Sequence, residues 1–276
     1  MQLWWQLPWI PAILSGILIL IGVLGAGYFF WKKAREEHYD LWEVFDGLII
    51  SGIAAFIASR LSYVFLRGEW AILLPKNFIQ IWNYPGLWAP AGLAAAFVFM
   101  GWSARKMKRE MFEIWDFYSL VLSWFLAWYW LSRLAIGAAA GISTQLPIGV
   151  LFPQRVEPAH PIQLYAGVGF LLLFRYLWWA EPRYRFFLWY RSKKRTAKSG
   201  FLLSIFLIVT GILGVLIGFV DYPFLRIFDF DVNQLFYALL FFSGCVLLYV
   251  RSGQLFFVKK EKGKNEAPFI SSTPGA

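Results

Sequence analysis

A chain of 276 residues that is 59% hydrophobic and 15% charged, with Phe, Trp and Tyr making up 21%, falls outside the ordinary soluble globular class. Its formal net charge of +10 does not mark a nucleic-acid binder, because the basic residues gather between apolar segments, where they report topology. The single cysteine, Cys245, leaves neither a disulfide nor a Cys-ligated metal site.

Seven apolar segments follow in chain order, at about 10–31, 47–66, 86–103, 114–140, 161–180, 200–220 and 232–250. Each is near the roughly 20 residues a helix needs to cross the hydrocarbon layer. Open strands cannot satisfy their backbone in lipid, so the prediction is an all-α polytopic membrane protein with seven transmembrane helices. The first segment lacks a basic stretch before it and a small-residue cleavage site after it, and is expected to remain as a span. Segments around 32–45, 104–113, 181–199 and beyond 250 hold 19 Lys and Arg, against four in the alternate loops around 67–85, 141–160 and 221–231. That split predicts an outside N-terminus and a cytoplasmic C-terminus. One domain is expected over 1–258, followed by a disordered cytoplasmic tail over 259–276, where Lys, Glu, Gly, Asn, Ser and Pro replace apolar residues.

Two outside loops carry more than a connection. Trp70, Trp82, Tyr84 and Trp88 form an aromatic belt between the second and third segments. The loop at about 141–160, with Pro147, Gly149, Pro153, Arg155, Glu157 and Pro158, is too rigid for a linker and is expected to fold as a small external cap.

Three arginines lie inside predicted spans, where insertion costs at least about 2.5 kcal/mol and the side chain must pair, face the interior or snorkel. Arg175 is close enough to the cytoplasmic end to snorkel. Arg60, flanked by Ser59, Ser62 and Tyr63, suits either a ligand or a structural bond to backbone carbonyls. Arg133 lies near the outer end of its span, before the small-residue run Gly137-Ala138-Ala139-Ala140-Gly141, and a fixed guanidinium there suits a phosphate. Of the two histidines, His38 sits among Arg35, Glu36, Glu37 and Asp40 and reads as solvated. His160 opens the run His160-Pro161-Ile162-Gln163-Leu164-Tyr165 against a long apolar segment. An imidazole there serves either proton transfer or the capping of its own helix.

With this topology and this run, the chain resembles the prolipoprotein diacylglyceryl transferase family of bacterial membranes. Gly149-Val150-Leu151-Phe152-Pro153 and His160-Pro161-Ile162-Gln163-Leu164-Tyr165 resemble the family's Val-x-Phe-Pro and His-Pro-Ser-Gln-Leu-Tyr-Glu. Ser15-Gly16, Ala58-Ser59-Arg60-Leu61-Ser62-Tyr63-Val64, Ile81-Trp82, Gly92-Leu93 and Asn233-Gln234 follow in the family's order. The family's His-Gly-Gly histidine falls on Pro90, its Glu after Gln-Leu-Tyr falls on Ala166, and its Gly-Arg arginine meets Arg133 only through a three-residue insertion. Its second arginine, in the sixth span, is absent, although Asp221 stands near the acidic position that follows it.

The resemblance implies transfer of the diacylglyceryl group of phosphatidylglycerol to the lipobox cysteine of a prelipoprotein, in the bacterial cytoplasmic (inner) membrane. The partners implied are phosphatidylglycerol, prelipoprotein signal peptides and the lipid bilayer, with no nucleic acid, no metal and no organic cofactor. Arg133 and His160 are the expected catalytic residues, the histidine filling the base role left open at Pro90, and Arg60, Tyr63, Gln163 and Tyr165 the expected substrate ligands. The alternative is a catalytically silent relative that binds phospholipid or lipoprotein signal segments. An unrelated transporter or scaffold is the third reading.

Overall fold

The computed structural model describes residues 9–80, 84, 86–153, 155–190, 199–228 and 230–251. Eight α-helices account for most of them: α1 (Trp9–Glu36), α2 (Leu41–Arg67), α3 (Pro75–Ile79), α4 (Ala89–Lys106), α5 (Met111–Ala135), α6 (Ile162–Tyr190), α7 (Phe201–Gly218) and α8 (Val232–Arg251). A two-stranded antiparallel hairpin, β1 (Arg226–Ile227) and β2 (Phe230–Asp231), lies between α7 and α8. The expected Ile81–Trp82 pair and the tail 259–276 fall outside the described residues.

Five helices, α1, α2, α6, α7 and α8, are long and apolar enough to cross a membrane. The other two long helices are α4, of 18 residues, and α5, of 25. Helix α5 is the hub of the bundle, in contact with α1, α4, α6 and α7. A helix surrounded by protein can hold polar groups that lipid would penalise, and α5 buries Asp116, Ser119, Ser123 and Ser132. The hydroxyls of Ser119 and Ser123 each donate to the carbonyl four residues back, at 2.7 Å.

Contacts at the helix ends show how the chain runs. At one end the Asp116 carboxylate of α5 accepts the N–H groups of Gly200 (2.7 Å) and Leu203 (2.8 Å), capping α7 from outside its own sequence. There too Arg251 of α8 reaches Glu110 at 2.9 Å, and Lys33 of α1 pairs with Glu181 of α6 at 2.6 Å. The Ser199 hydroxyl and Arg251 hold the Glu110 carboxyl below its usual range, against the opposing effect of burial. At the other end Trp88 N–H donates to Ser59 O, and Gly141 N–H to His160 O. Consecutive long helices therefore alternate in direction, and the described basic residues around the α1–α2 and α4–α5 connections, with Arg183 and Arg251, share one end.

Local sequence sets several boundaries. The Asp40 carboxylate accepts Trp42 N–H at 2.8 Å and starts α2, which ends on Gly68 in the left-handed region (φ 72°). The predicted fourth segment, 114–140, stops earlier as a helix, at Ala135, because Gly137 (φ 67°) and Ala139 (φ 63°) turn left-handed. Gly211, Gly214 and Gly218 form one face of α7 against α8, where a Cβ at Gly214 would collide with the Tyr237 ring.

Candidate active site at the end opposite the basic loops

The ends of α5 and α6 are locked together through backbone and side chain. Ala138 N–H closes the last turn of α5 on Arg133 O (3.0 Å), and Ala138 O accepts Nε2 of Gln163 from α6 at 2.6 Å. Gln163 is fully buried, and its carbonyl oxygen has no protein partner among the described residues. His160 N–H donates to Ile142 O (3.0 Å), while Ile142 N–H donates to Val220 O (2.9 Å) beyond α7. Isolated bridges of Ser143 and Val150 with Ala159 fold the 141–160 loop back on itself. Arg133, Gln163, His160 and the segment after α7 therefore belong to one hydrogen-bonded unit.

Within it, Nδ1 of His160 lies 3.3 Å from the Tyr165 hydroxyl. With Nδ1–H donating to that oxygen, Nε2 keeps its lone pair and can take a proton, whereas the opposite tautomer cannot do so at Nε2. Arg133 is half-buried in the last turn of α5, and its guanidinium has no hydrogen-bond or ion-pair partner among the described residues. An unpaired guanidinium with small residues just beyond it can receive an anion. Arg175, by contrast, is exposed on α6, as a snorkelling side chain would be.

Arg60 and Tyr63, expected as ligands, have structural partners at the end of α2. Arg60 is fully buried and donates from Nε to Phe78 O (3.1 Å), from one terminal nitrogen to Gly86 O (2.7 Å) and from the other to Asn77 O (3.1 Å). Three of its five N–H donors thus hold the loop between α2 and α4, the structural role weighed against ligand binding. Gly86 has a φ of 150°, and a Cβ there would strike the Tyr63 ring. The Tyr63 hydroxyl donates to Glu69 at 3.0 Å. Replacing Arg60 with lysine keeps the charge but cannot reach three carbonyls in a fork, so a loss of about 1–3 kcal/mol is expected. Thermal unfolding in detergent measures it; unchanged stability would argue that these bonds contribute nothing net.

Tyr222, Phe224 and Asn233, between α7 and the start of α8, join the two groups. Phe224 packs on Tyr63 (5.9 Å between centroids) and stacks on Trp88 (6.2 Å), while Trp88 Nε1 donates to Asn233 at 2.9 Å. Tyr222 accepts a hydrogen bond from Arg155 of the 141–160 loop at 2.9 Å. Sequence reasoning did not assign roles to Arg155, Tyr222, Glu69 or Asp231; Asp221 alone carried a signal, its place near an acidic family position. Burial and the neighbouring Asp231 raise the Asp221 carboxyl to about 6, although Tyr222 N–H favours its anion. Between its ordinary 3.8 and about 6 the folded chain holds a proton that the unfolded chain releases. The Asp221 contribution to stability is therefore greatest in acid and is lost as pH rises through about 6. Asp221→Asn should flatten that part of the stability–pH curve, and an unchanged slope would assign it to other groups.

A family model for prolipoprotein diacylglyceryl transferase matches residues 3–250. A phosphatidylglycerol–prolipoprotein diacylglyceryl transferase of Aeromonas salmonicida is 28% identical over 217 residues, covering 75% of this chain and 73% of the relative. One from Bordetella parapertussis is 29% identical over 215 residues, covering 75% and 77%. With the match extending from the start of the chain to the end of its last long helix, the chain belongs to the prolipoprotein diacylglyceryl transferase family.

Proposed function

We propose that this protein moves the diacylglyceryl group of phosphatidylglycerol to the lipobox cysteine of a prelipoprotein, from a site between helices near the outer face of the bacterial cytoplasmic membrane. The observation that carries the reading is the family match over residues 3–250, combined with an Arg133 guanidinium that has no partner among the described residues and a His160–Tyr165 pair in one hydrogen-bonded unit. Seven spans with an outside N-terminus and a cytoplasmic C-terminus fit the alternating helices and the described basic residues gathered at one end. Helices α4 and α5 complete the seven.

The cysteine thiolate attacks the glyceryl carbon that bears the phosphate ester. A C–S bond forms, the C–O bond breaks, and the bonding pair leaves on glycerol phosphate. Two demands follow. The thiol, which titrates near about 8.5 when free, must lose a proton, and His160 Nε2 accepts it while Tyr165 holds the ring. Charge growing on the leaving phosphate needs fixed donors, and Arg133 supplies them. Gln163, whose N–H is engaged by Ala138 O, acts by fixing the turn beyond Arg133 as well as through its remaining oxygen. Arg60 and Tyr63 support the floor of the site from the α2 end.

The competing reading is a silent relative that binds lipid or signal segments without transfer. Pro90 and Ala166, both buried, favour it because neither can titrate. Purified protein in phosphatidylglycerol vesicles with a lipobox peptide decides between them by mass spectrometry. A thioether adduct of diacylglyceryl mass is the expected result; peptide or lipid binding without the adduct would establish the silent relative.

A further inference from the structure

Toward the end of the bundle that holds His160, one stripe of α5 changes character. Tyr118, Tyr129 and Arg133 fall on it, at i, i+11 and i+15. In the half nearer Glu110, helix α4 covers this side of α5. Phe97 packs on Tyr118 (5.3 Å between centroids) and on Trp115 (6.3 Å), and Trp115 Nε1 donates to Phe97 O at 2.8 Å. Farther along, the Tyr129 ring meets Phe125 and Trp130 of its own helix, and no ring from another helix among the described residues. Neither its hydroxyl nor the Arg133 guanidinium has a hydrogen-bond partner among those residues. Helix α7 contains no charged residue, and its glycine face lets α8 bring a polar group past it. The Tyr237 ring lies directly against Gly214, where any Cβ would strike it. Its hydroxyl comes within electrostatic reach of Tyr129 on α5 and of Asp221 and Asp231. Those two carboxylates already accept the N–H groups of Tyr222, Phe224 and Asn233, and the Tyr237 hydroxyl has no hydrogen-bond partner among the described residues. Two phenol hydroxyls and, one turn on along α5, a guanidinium are thus left with donors and no acceptor.

We infer that Tyr129 and Tyr237 recognise the ester carbonyls of a diacyl phospholipid whose phosphate lies on Arg133, and so select diacyl esters over dialkyl ethers. The inference rests on the reading of Arg133 as the phosphate site, to which it adds two ligands, and it holds for a transferase and for a silent relative alike. The acceptor follows from charge and from depth. A phosphate is an anion and is matched by a guanidinium. A phenol is a neutral donor and suits a neutral oxygen, most of all in a poorly hydrated layer where an unmade hydrogen bond is costly. Tyr129 stands one helical turn, about 5.4 Å, farther into the bundle than Arg133. In a glycerophospholipid the two ester carbonyls come next after the phosphate on the way to the acyl chains. A lipid held by its phosphate at Arg133 therefore presents two carbonyls at the level of two hydroxyls.

The test titrates dioctanoyl phosphatidylglycerol and its dioctyl ether analogue into the full chain in detergent, reading affinity from the rise of the unfolding midpoint with lipid concentration. The wild-type protein should bind the diester more tightly, each neutral hydrogen bond contributing about 2- to 10-fold. Tyr237→Phe and Tyr129→Phe keep the rings, and with them the packing against Gly214. Each should lower diester affinity by that factor and leave diether affinity unchanged, and the double variant should bind the two lipids equally. Equal affinity of the wild-type protein for both lipids overturns the inference. So does a tyrosine variant that weakens both lipids alike, which would make the phenol a packing residue, or one that weakens neither. Arg133→Gln should weaken both lipids to the same extent. Wild-type affinity for both lipids in that variant would remove the phosphate reading itself, a failure distinct from that of the carbonyl assignment.

Discussion

Arg133→Ala is expected to lower thioether formation by about 10²–10³-fold, the usual cost of losing one preorganised donor to developing negative charge. The effect should fall on turnover more than on peptide affinity, since the phosphate charge grows only as the C–O bond breaks. Arg133→Lys keeps the charge but not the planar fork and should recover part of the rate. His160→Ala should cost about 10²–10⁴-fold, the range for a positioned general base, with a different signature. Raising the pH ionises the peptide thiol without help, so the His160→Ala deficit should shrink in alkali while the Arg133→Ala deficit stays. Tyr165→Phe removes the group that orients His160 Nδ1, and its loss should be smaller than that of His160→Ala. Wild-type turnover by Arg133→Ala would place the phosphate on other donors and sink the assignment. A His160→Ala deficit that does not change with pH would make His160 a structural residue of the 141–160 loop.

How far the sequence reveals this molecule depends on the range of the interactions involved. Hydrocarbon thickness sets one length scale for any span, so each of the seven apolar segments falls on a long helix among the described residues, five of them long and apolar enough to cross a membrane. Their ends depend on particular side chains. The fourth segment reads as apolar through Ala140, yet the helix stops at Ala135 because Gly137 and Ala139 turn left-handed. The Arg226–Asp231 hairpin is too short to leave a periodic pattern. At the site, the His160-Pro-Ile-Gln-Leu-Tyr run is legible because its members are local in sequence and α6 brings Tyr165 back to His160. Backbone carbonyls are foreseeable partners for Arg60, but which ones is not legible, since that depends on where Asn77, Phe78 and Gly86, well beyond α2, come to rest. Its depth in a predicted span makes Arg60 a candidate, and the backbone carbonyls that surround its buried guanidinium give it a structural task. Asp221 shows the opposite limit: its position in the chain is visible, but the burial that shifts its titration, helped by the approach of Asp231, requires the fold.

At the opposite end of the bundle, Glu181→Leu is expected to be among the most destabilising single substitutions outside the site. Lys33 and Glu181 are 2.6 Å apart with side-chain exposures of 6% and 2%, and they fasten the C-terminal end of α1 to that of α6. Removing one partner of such a pair costs about 3–5 kcal/mol, because the other charge stays buried without compensation. Here the loss should lie toward the lower end of that range. Lys33 also meets Glu36 at 2.7 Å and lies 5.1 Å from the Trp178 ring centroid, so some compensation remains. Lys33→Leu with Glu181→Leu removes both charges and should regain most of the loss, since an apolar pair of similar volume pays no desolvation. Unfolding in detergent, run as a double-mutant cycle, gives the coupling directly. A double variant as unstable as Glu181→Leu would mean that the pair's packing against Trp178, rather than its charge, holds α1 in place. Intact transferase activity in the double variant would separate this fastening from the chemistry at the far end. The two ends are connected through α6, which carries Gln163 and Tyr165 near its start and Glu181 near its finish, so a loosened α1 should lower stability before it disturbs His160.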